Sequence, residues 1–491
     1  MPPNNFKSDE SFLSKIAIGA AGTNATIEAL TAMGFRPIEL ERGSSGYKIW
    51  KKIKIKRVRV PDILCLRTGL RFESRGKTKL EISMSHSLNE PSRCWDVCMR
   101  TDDYVSIILL EAVENSIVDY RRISPVMFIR VSDMQAAFVA EDVKITTPKG
   151  VEEGSEIRVI WPCATANAAS VVETIAPNVR LRPNDGGRAQ TIRLRRAGGD
   201  LPALVQVGDV VEANEIVAAC VPVVKLIPLS AEVDEEHFRG RLTSVKLNER
   251  YAAAKALRYR GYGAECQGIL EARMNDGDED IYVQLEAAAA LAARNHESGW
   301  RFIENKLRGM TLEIPVATQL ETVIVVSEIP TERSERILIS VLQDDDWDEE
   351  IRAGAAWGLG QFDSEQSAVA LVNTFNSNKR EIQIEAARAL LLITPGNESF
   401  LIDLLKTTTD DKRDGLAWAL ARSGGFDPAS MFDGTNNDNL RRWISYIIGR
   451  GQEKFVAEQI EAIRGVDQEV YFAATVLWQI LGSWVHDLKE Y

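Results

Sequence analysis

Histidine, cysteine and long apolar runs are what this 491-residue chain has least of. There are four histidines, His86, His237, His296 and His486, too scattered to build a histidine-rich metal centre. Six cysteines in a chain of this length are too few for a disulfide scaffold. None forms a CxxC pair; Cys94 and Cys98 come closest, and no second pair or nearby His completes a zinc set. The six are read as reduced thiols. The longest apolar stretches, Ala287–Ala293 and Ile216–Val221, fall far short of the ~20 residues that span a bilayer. The opening MPPNNFKSDESF lacks the apolar core of a signal peptide. A cytoplasmic protein with no membrane partner is expected. No Walker A or GxGxxG loop occurs, so no nucleotide cofactor is expected, and Gly43-Ser44-Ser45-Gly46 reads as a flexible turn.

Charge is plentiful but unevenly placed. The net charge is -12, yet residues 1–135 carry 21 Lys/Arg against 16 Asp/Glu. A basic end on an acidic chain points to an anionic partner. The excess is densest from Lys48 to Arg59, where Lys48, Lys51, Lys52, Lys54, Lys56, Arg57 and Arg59 interleave with Ile53, Ile55 and Val58. Seven cations in twelve residues can engage several phosphates, so nucleic acid is the expected partner, DNA in preference to RNA. The same stretch also suits a solvated hairpin edge, where Lys blocks strand pairing.

From about Asn248 one pattern recurs. Arg or Gln is followed at three and four residues by two mostly small residues, then three later by a large apolar one. It reads Arg250…Ala253-Ala254…Leu257, Gln284…Ala287-Ala288…Leu291 and Arg352…Ala355-Ala356…Leu359, with looser copies ending at Val326, Leu390, Leu420, Ile448 and Leu477. The last positions are 34, 35, 33, 31, 30, 28 and 29 residues apart. Offsets of three and four share one helical face, and small residues there let helices approach closely. The breaks Asn275-Asp276-Gly277, Asp344-Asp345-Asp346 and Pro395-Gly396-Asn397 are placed between hairpins. A fixed period of this length is the mark of a solenoid. The pattern resembles the short bacterial HEAT-like repeats of the PBS-lyase type, implying an all-α superhelix of about eight repeats over 241–491. The HEAT-repeat hydroxylases hold two irons through several His-Glu pairs; only His296-Glu297 occurs here, so that activity is excluded.

Residues 136–240 read as a small β domain. Ile157, Val159 and Trp161 alternate, as do Ile192 with Leu194 and Val205 with Val207, between Gly-rich breaks. The run Val207–Val217 resembles the GDxV turn of barrel-sandwich or lipoyl-type modules. It lacks their cofactor-carrying lysine, so a structural module is expected.

In residues 1–135 a helix from Ala25 to Met33, containing Glu28, ends at Gly34. Strands follow at Phe35–Leu40, Val60–Cys65 and Leu70–Lys77, then a helix-like segment from Asp102 to Glu111. Asp96, Asp102 and Asp103 are read as helix caps, and His86 as a surface or packing residue. With a strand period of two, Glu73, Arg75 and Lys77 share a face. Pro61-Asp62, then Glu73 with basic residues beyond it, resembles the PD-(D/E)xK nuclease superfamily, in particular its Mrr-like restriction endonuclease branch. The resemblance implies a restriction-endonuclease-like α/β domain over 1–135. It also implies Mg²⁺ or Mn²⁺ held by Asp62 and Glu73 with help from Glu28, and a catalytic role for Lys77 and Arg75. The sequence departs from that family at Arg75, where the family usually has Lys; Arg stays protonated and is a poor general base, so Lys77 is the expected substitute.

The whole is read as a multidomain α+β chain: a metal-dependent nuclease, the effector of a prokaryotic defence or restriction system, whose solenoid binds a protein partner or nucleic acid. Two other readings stay open. One is a non-enzymatic HEAT scaffold with a degenerate nuclease fold that binds without cutting; the other is a PBS-lyase-like protein acting on a chromophore protein.

Overall fold

The computed structural model describes residues 9–42, 58–113, 119–147, 156–195, 200–308, 314–432, 437–451 and 454–484. These fall into two compact units, one ending at Tyr262 and the other beginning at Gly263.

The first unit opens with α1 (Asp9–Ala32), β1 (Pro37–Glu39), β2 (Ile63–Cys65), β3 (Arg71–Lys77), β4 (Ile82–His86), β5 (Tyr104–Ala112), β6 (Tyr120–Arg122), β7 (Met127–Arg130) and α2 (Val131–Val139). The main sheet runs β1-β2-β3-β5-β6, with β7 also on β5. β1, β2 and β3 are antiparallel neighbours, whereas β3 and β5 are parallel. Alternation along β3 decides what each residue meets. Phe72 enters a core with Leu30, Phe35, Ile63, Ile108 and Phe128. Ser74 and Gly76 turn the same way, toward α1, where Thr26 hydrogen-bonds Ser74 and Ser106. The helix crosses the strand closely: a Cβ on Gly22 would lie 2.8 Å from the Gly76 nitrogen, and one on Gly76 would lie 2.4 Å from the Ile18 carbonyl. Gly22 therefore sits inside a helix that runs from Asp9, because only glycine permits that approach. The sequence reading began the helix only at Ala25, past this crossing.

The segment Asp102–Glu111 is not helical but forms β5, the central strand. Val105–Leu110 are buried on both faces, and such a strand reads as an unbroken apolar run rather than as alternation. Asp103 caps no helix. It is wholly buried and paired to Arg71 at 2.7 Å.

The unit continues through β8 (Lys144–Thr146), β9 (Ile157–Trp161), β10 (Cys163–Thr165), β11 (Ser170–Thr174), β12 (Asn178–Pro183), β13 (Gln190–Arg193), β14 (Val210–Val211) and β15 (Ile216–Ala219). The expected β module is present as the sheet β13-β12-β11-β14 and the pair β10-β15, around Val172, Val179, Leu181 and Ile192. It is not separate from what precedes it. β4 pairs with β9, and one core joins Met84, Ile107, Met134, Val159 and Trp161. The border drawn at 135 falls inside α2, and that at 240 falls inside α3 (Glu235–Leu242).

The helix α4 (Leu247–Arg260) carries the first copy of the repeat pattern, yet belongs to this unit. Tyr251 Oη and Lys255 Nζ donate to the Leu40 carbonyl, Arg260 donates to the Leu66 carbonyl, and Glu249 pairs with Arg71 at 3.2 Å. A fully buried Lys255 and a one-percent-exposed Arg71 show how completely α4 is built into the sheet's edge.

The second unit is α5 (Ala264–Asn275), α6 (Ile281–Ala292), α7 (Glu297–Leu307), α8 (Val316–Ser327), α9 (Glu332–Gln343), α10 (Glu349–Leu359), α11 (Glu365–Val372), α12 (Arg380–Ile393), α13 (Glu398–Thr407), α14 (Arg413–Ser423), α15 (Asp438–Arg450), α16 (Ala457–Val466) and α17 (Gln468–Trp484). All eight copies of the pattern lie on helices: α4, α6, α8, α10, α12, α14, α15 and α17. The recurring Arg or Gln has a definite use. Gln319 donates to the Leu307 carbonyl, Arg352 to Leu342, Gln383 to Phe375 and Arg413 to Leu405. Each reaches back to the end of the preceding helix or, for Gln383, to the turn just past α11, where carbonyls have no helical partner. The turn Pro395-Gly396-Asn397 joins α12 to α13, which barely touch, so it falls between hairpins as expected, whereas Asn275-Asp276-Gly277 and Asp344-Asp345-Asp346 join the closely packed pairs α5–α6 and α9–α10 and lie within them. Gly396 takes φ +93° to end α12, and helix-ending chemistry is the same in both kinds of turn. Among the described residues no helix is long and apolar enough to cross a membrane.

Ala355 and Ala386 are fully buried on this repeat face. Ala355→Leu or Ala386→Leu should each lower stability by about 1–3 kcal/mol through overpacking. Thermal melting checks this, and unchanged melting in both would contradict the packing described.

Candidate functional site

The second face of β3 builds the site. Glu73, Arg75 and Lys77 all line one cavity of about 600 Å³, as their shared face requires. The β2–β3 register pairs Ile63 with Phe72, so Asp62 stands opposite Glu73. Asp62 is almost wholly buried, and its Oδ2 accepts from the Ser74 amide at 2.7 Å. Burial pushes its carboxyl well above the usual range, and the charges of Glu73 and Glu41 push it further. Glu73 is raised as well, chiefly by burial, although Arg75 opposes this. Arg75 pairs with Glu73 at 2.6 Å and is held charged by it. Lys77 Nζ donates to the Ser83 carbonyl at 3.1 Å and to its hydroxyl at 3.2 Å. Burial, then the neighbouring charges of Arg75 and Arg158, lowers its pKa to about 8.

The remaining expected residues divide. Glu28 is exposed on α1 and does not line the cavity, because the helix turns Thr26, not Glu28, toward the sheet. The third acid there is Glu41, which the sequence reading missed. Its amide donates to the Asp62 carbonyl at 3.2 Å, and its side chain lines the cavity. The signal was the strand pairing itself: Glu39 opposite Ile63 leaves Glu41 beside the Pro61-Asp62 turn. Lys48, Lys51, Lys52, Lys54, Lys56 and Arg57 lie outside the described residues. Arg59 is described, lines the cavity and donates to the Ser92 carbonyl. His86, read as a packing residue, both packs on Phe138 and lines the cavity.

Among the described residues no cluster of three or more His, Cys, Asp or Glu side chains is arranged to hold a metal ion. The site offers a buried carboxylate pair instead. Mg²⁺ commonly takes one or two carboxylates and completes its shell with water and substrate phosphate. Asp62 and Glu73, whose ionisation is opposed by burial and by neighbouring negative charge and only partly favoured by Arg75, form a donor pair whose chemistry fits Mg²⁺ or Mn²⁺.

Residues 335–423 match the family described as HEAT repeats. No curated relative matches the chain. Among solved structures it is similar to the complex of CpcE and CpcF of phycocyanin lyase from Nostoc sp. PCC7120, at 17% identity over 52% of this chain and 99% of that one, with a TM-score of 0.27. It is also similar to Kap121p, at 12% identity over 50% of this chain and 33% of that one, with a TM-score of 0.31. Human deoxyhypusine hydroxylase is similar at 16% identity over 45% of this chain and 84% of that one, with a TM-score of 0.19. Scores this low carry no conclusion about function. The repeat helices, their recurrent pattern and the family match together make the C-terminal region a HEAT-repeat solenoid.

Proposed function

We propose that the first unit hydrolyses phosphodiester bonds in nucleic acid, DNA in preference to RNA, with a divalent metal, and that the solenoid is its partner-binding module. One observation carries this: Asp62, immediately before β2, stands opposite Glu73 in the β2–β3 register, and Glu73, Arg75 and Lys77 share one cavity wall. The order of α1, the antiparallel β1-β2-β3 and the parallel β5 supports the likeness to PD-(D/E)xK nucleases. An enzyme of this kind joined to a protein-binding solenoid suits an effector of genome defence.

Asp62 and Glu73 would hold Mg²⁺ or Mn²⁺, which when bound neutralises phosphate charge and makes water more acidic. Arg75, fixed by Glu73, donates to a phosphate oxygen and keeps its proton throughout. Lys77 takes the proton of the attacking water on Nζ, as that oxygen bonds to phosphorus and the ester oxygen leaves with a proton from solvent. A lysine of pKa about 8 is about one-tenth neutral at pH 7, far more than an unperturbed one.

The pH profile tests this role. Only neutral Lys77 accepts a proton, so cleavage should rise about tenfold per pH unit below 8 and level off above it. Lys77→Ala should lower the plateau by about 10²–10⁴-fold and remove that limb. A Lys77→Ala profile that overlays the wild type would remove Lys77 from the mechanism.

A further inference from the structure

The cavity has a second half that phosphodiester hydrolysis alone does not use. Beside β3 lies β4, where Arg75 Nε meets Met84 Sδ at 3.2 Å and Lys77 meets Ser83. Farther along the same wall the Trp95 amide donates to His86 Nδ1 at 3.3 Å, and Trp95, Val97 and Met99 continue the lining. The charged strip on β3 thus borders the partly exposed side chains of Val97 and Met99, with the hydroxyl of Ser85 and the imidazole of His86 on the same lining, while Met84 and Trp95 are held in the core. Arg59 and Arg93 stand on the loop side, anchored by the Ser92 carbonyl and by Glu156. A concavity of this volume is the size that buries one small ligand.

We infer that this cavity receives one unpaired nucleotide, its phosphate on the Arg75–Lys77 strip and its base against Val97 and Met99. Resting on the hydrolase reading above, this makes the substrate a single strand, or a duplex from which a nucleotide can be turned out. Continuous duplex is disfavoured because unstacking and unpairing cost several kcal/mol that an already unpaired base does not incur. An apolar wall beside cations is the arrangement that holds single strands with little sequence preference.

Binding without cleavage tests it. The full chain in EDTA is titrated, by fluorescence anisotropy, into a labelled 12-mer single strand, the matched duplex, and the same duplex with one central mismatch. The single strand should bind at least tenfold tighter than the matched duplex, with the mismatched duplex between them. Met99 and Val97 are partly exposed, so the uncharged changes Met99→Ser and Val97→Ser should fold. Each should weaken single-strand binding about tenfold and leave duplex binding unchanged, with melting temperature as the control. Equal binding of single strand and duplex, or wild-type single-strand affinity in both variants, overturns the inference. If matched duplex is preferred and is cut with Mg²⁺ in an Asp62-dependent way, the hydrolase stands and the unpaired-nucleotide site falls. If no nucleic acid is bound or cut, both fall.

Discussion

Asp62→Ala and Glu73→Ala should each abolish metal-dependent cleavage, by about a thousandfold or more, while nucleic-acid binding in EDTA stays within about threefold of wild type. The two effects separate because they come from different groups. Asp62 and Glu73 would place the cation, whose neutralising charge counts most as the phosphate gains charge in the transition state. A loss of about 4 kcal/mol there corresponds to a thousandfold in rate. On the proposed reading affinity would come instead from phosphate contacts by the cavity-lining cations Arg59, Arg75 and Lys77, which both variants keep. Arg75→Ala should be milder for turnover than Lys77→Ala, since Arg75 holds phosphate and moves no proton. The assay is cleavage of labelled DNA and RNA in Mg²⁺ or Mn²⁺, with anisotropy for binding. Full cleavage by either carboxylate variant would end the hydrolase account.

Asp103→Ala should strongly destabilise the first unit. Arg71 is one percent exposed and Asp103 is fully buried. Arg71 Nε and Nη2 both donate to Asp103, whose Oδ2 also accepts the Arg100 amide at 2.6 Å. Glu249 of α4 answers the remaining charge, at 3.2 Å from Arg71 and 3.3 Å from Arg241. Deleting Asp103 leaves the buried Arg71 guanidinium with Glu249 alone and strips Nε and Nη2 of their acceptor, which costs about 3–5 kcal/mol. At about 2–4 °C per kcal/mol for a unit of this size, melting should fall by roughly 10 °C. Arg121→Ala is the contrast: its pair with Glu111 is exposed, and it should cost about 1 kcal/mol at most. Similar melting of the two variants would contradict the burial described.

The solenoid was legible because its face repeats, and Glu73, Arg75 and Lys77 were legible because strand alternation is local. What escaped depended on pairing between distant segments. Glu249 sits at a position that varies from repeat to repeat, and nothing nearby in sequence marks it as the partner of Arg71, 178 residues earlier. For the same reason α4 reads as solenoid although it is built into the sheet unit. β5 was missed because a strand covered on both faces loses its alternation. Glu28 and Glu41 are equally acidic to the eye; only the rotation of α1 over Gly76 and the β1–β2 register decide that Glu41 enters the cavity.

The central claim is that Asp62 and Glu73 together hold a divalent cation, and Mn²⁺ binding to the intact chain, followed by calorimetry, tests it without needing a substrate or a trigger. The wild type should bind Mn²⁺ at a site that Mg²⁺ competes for, and Asp62→Asn and Glu73→Gln should each weaken it at least tenfold. Wild-type Mn²⁺ affinity in both variants, or no Mn²⁺ binding by the wild type, would contradict the account.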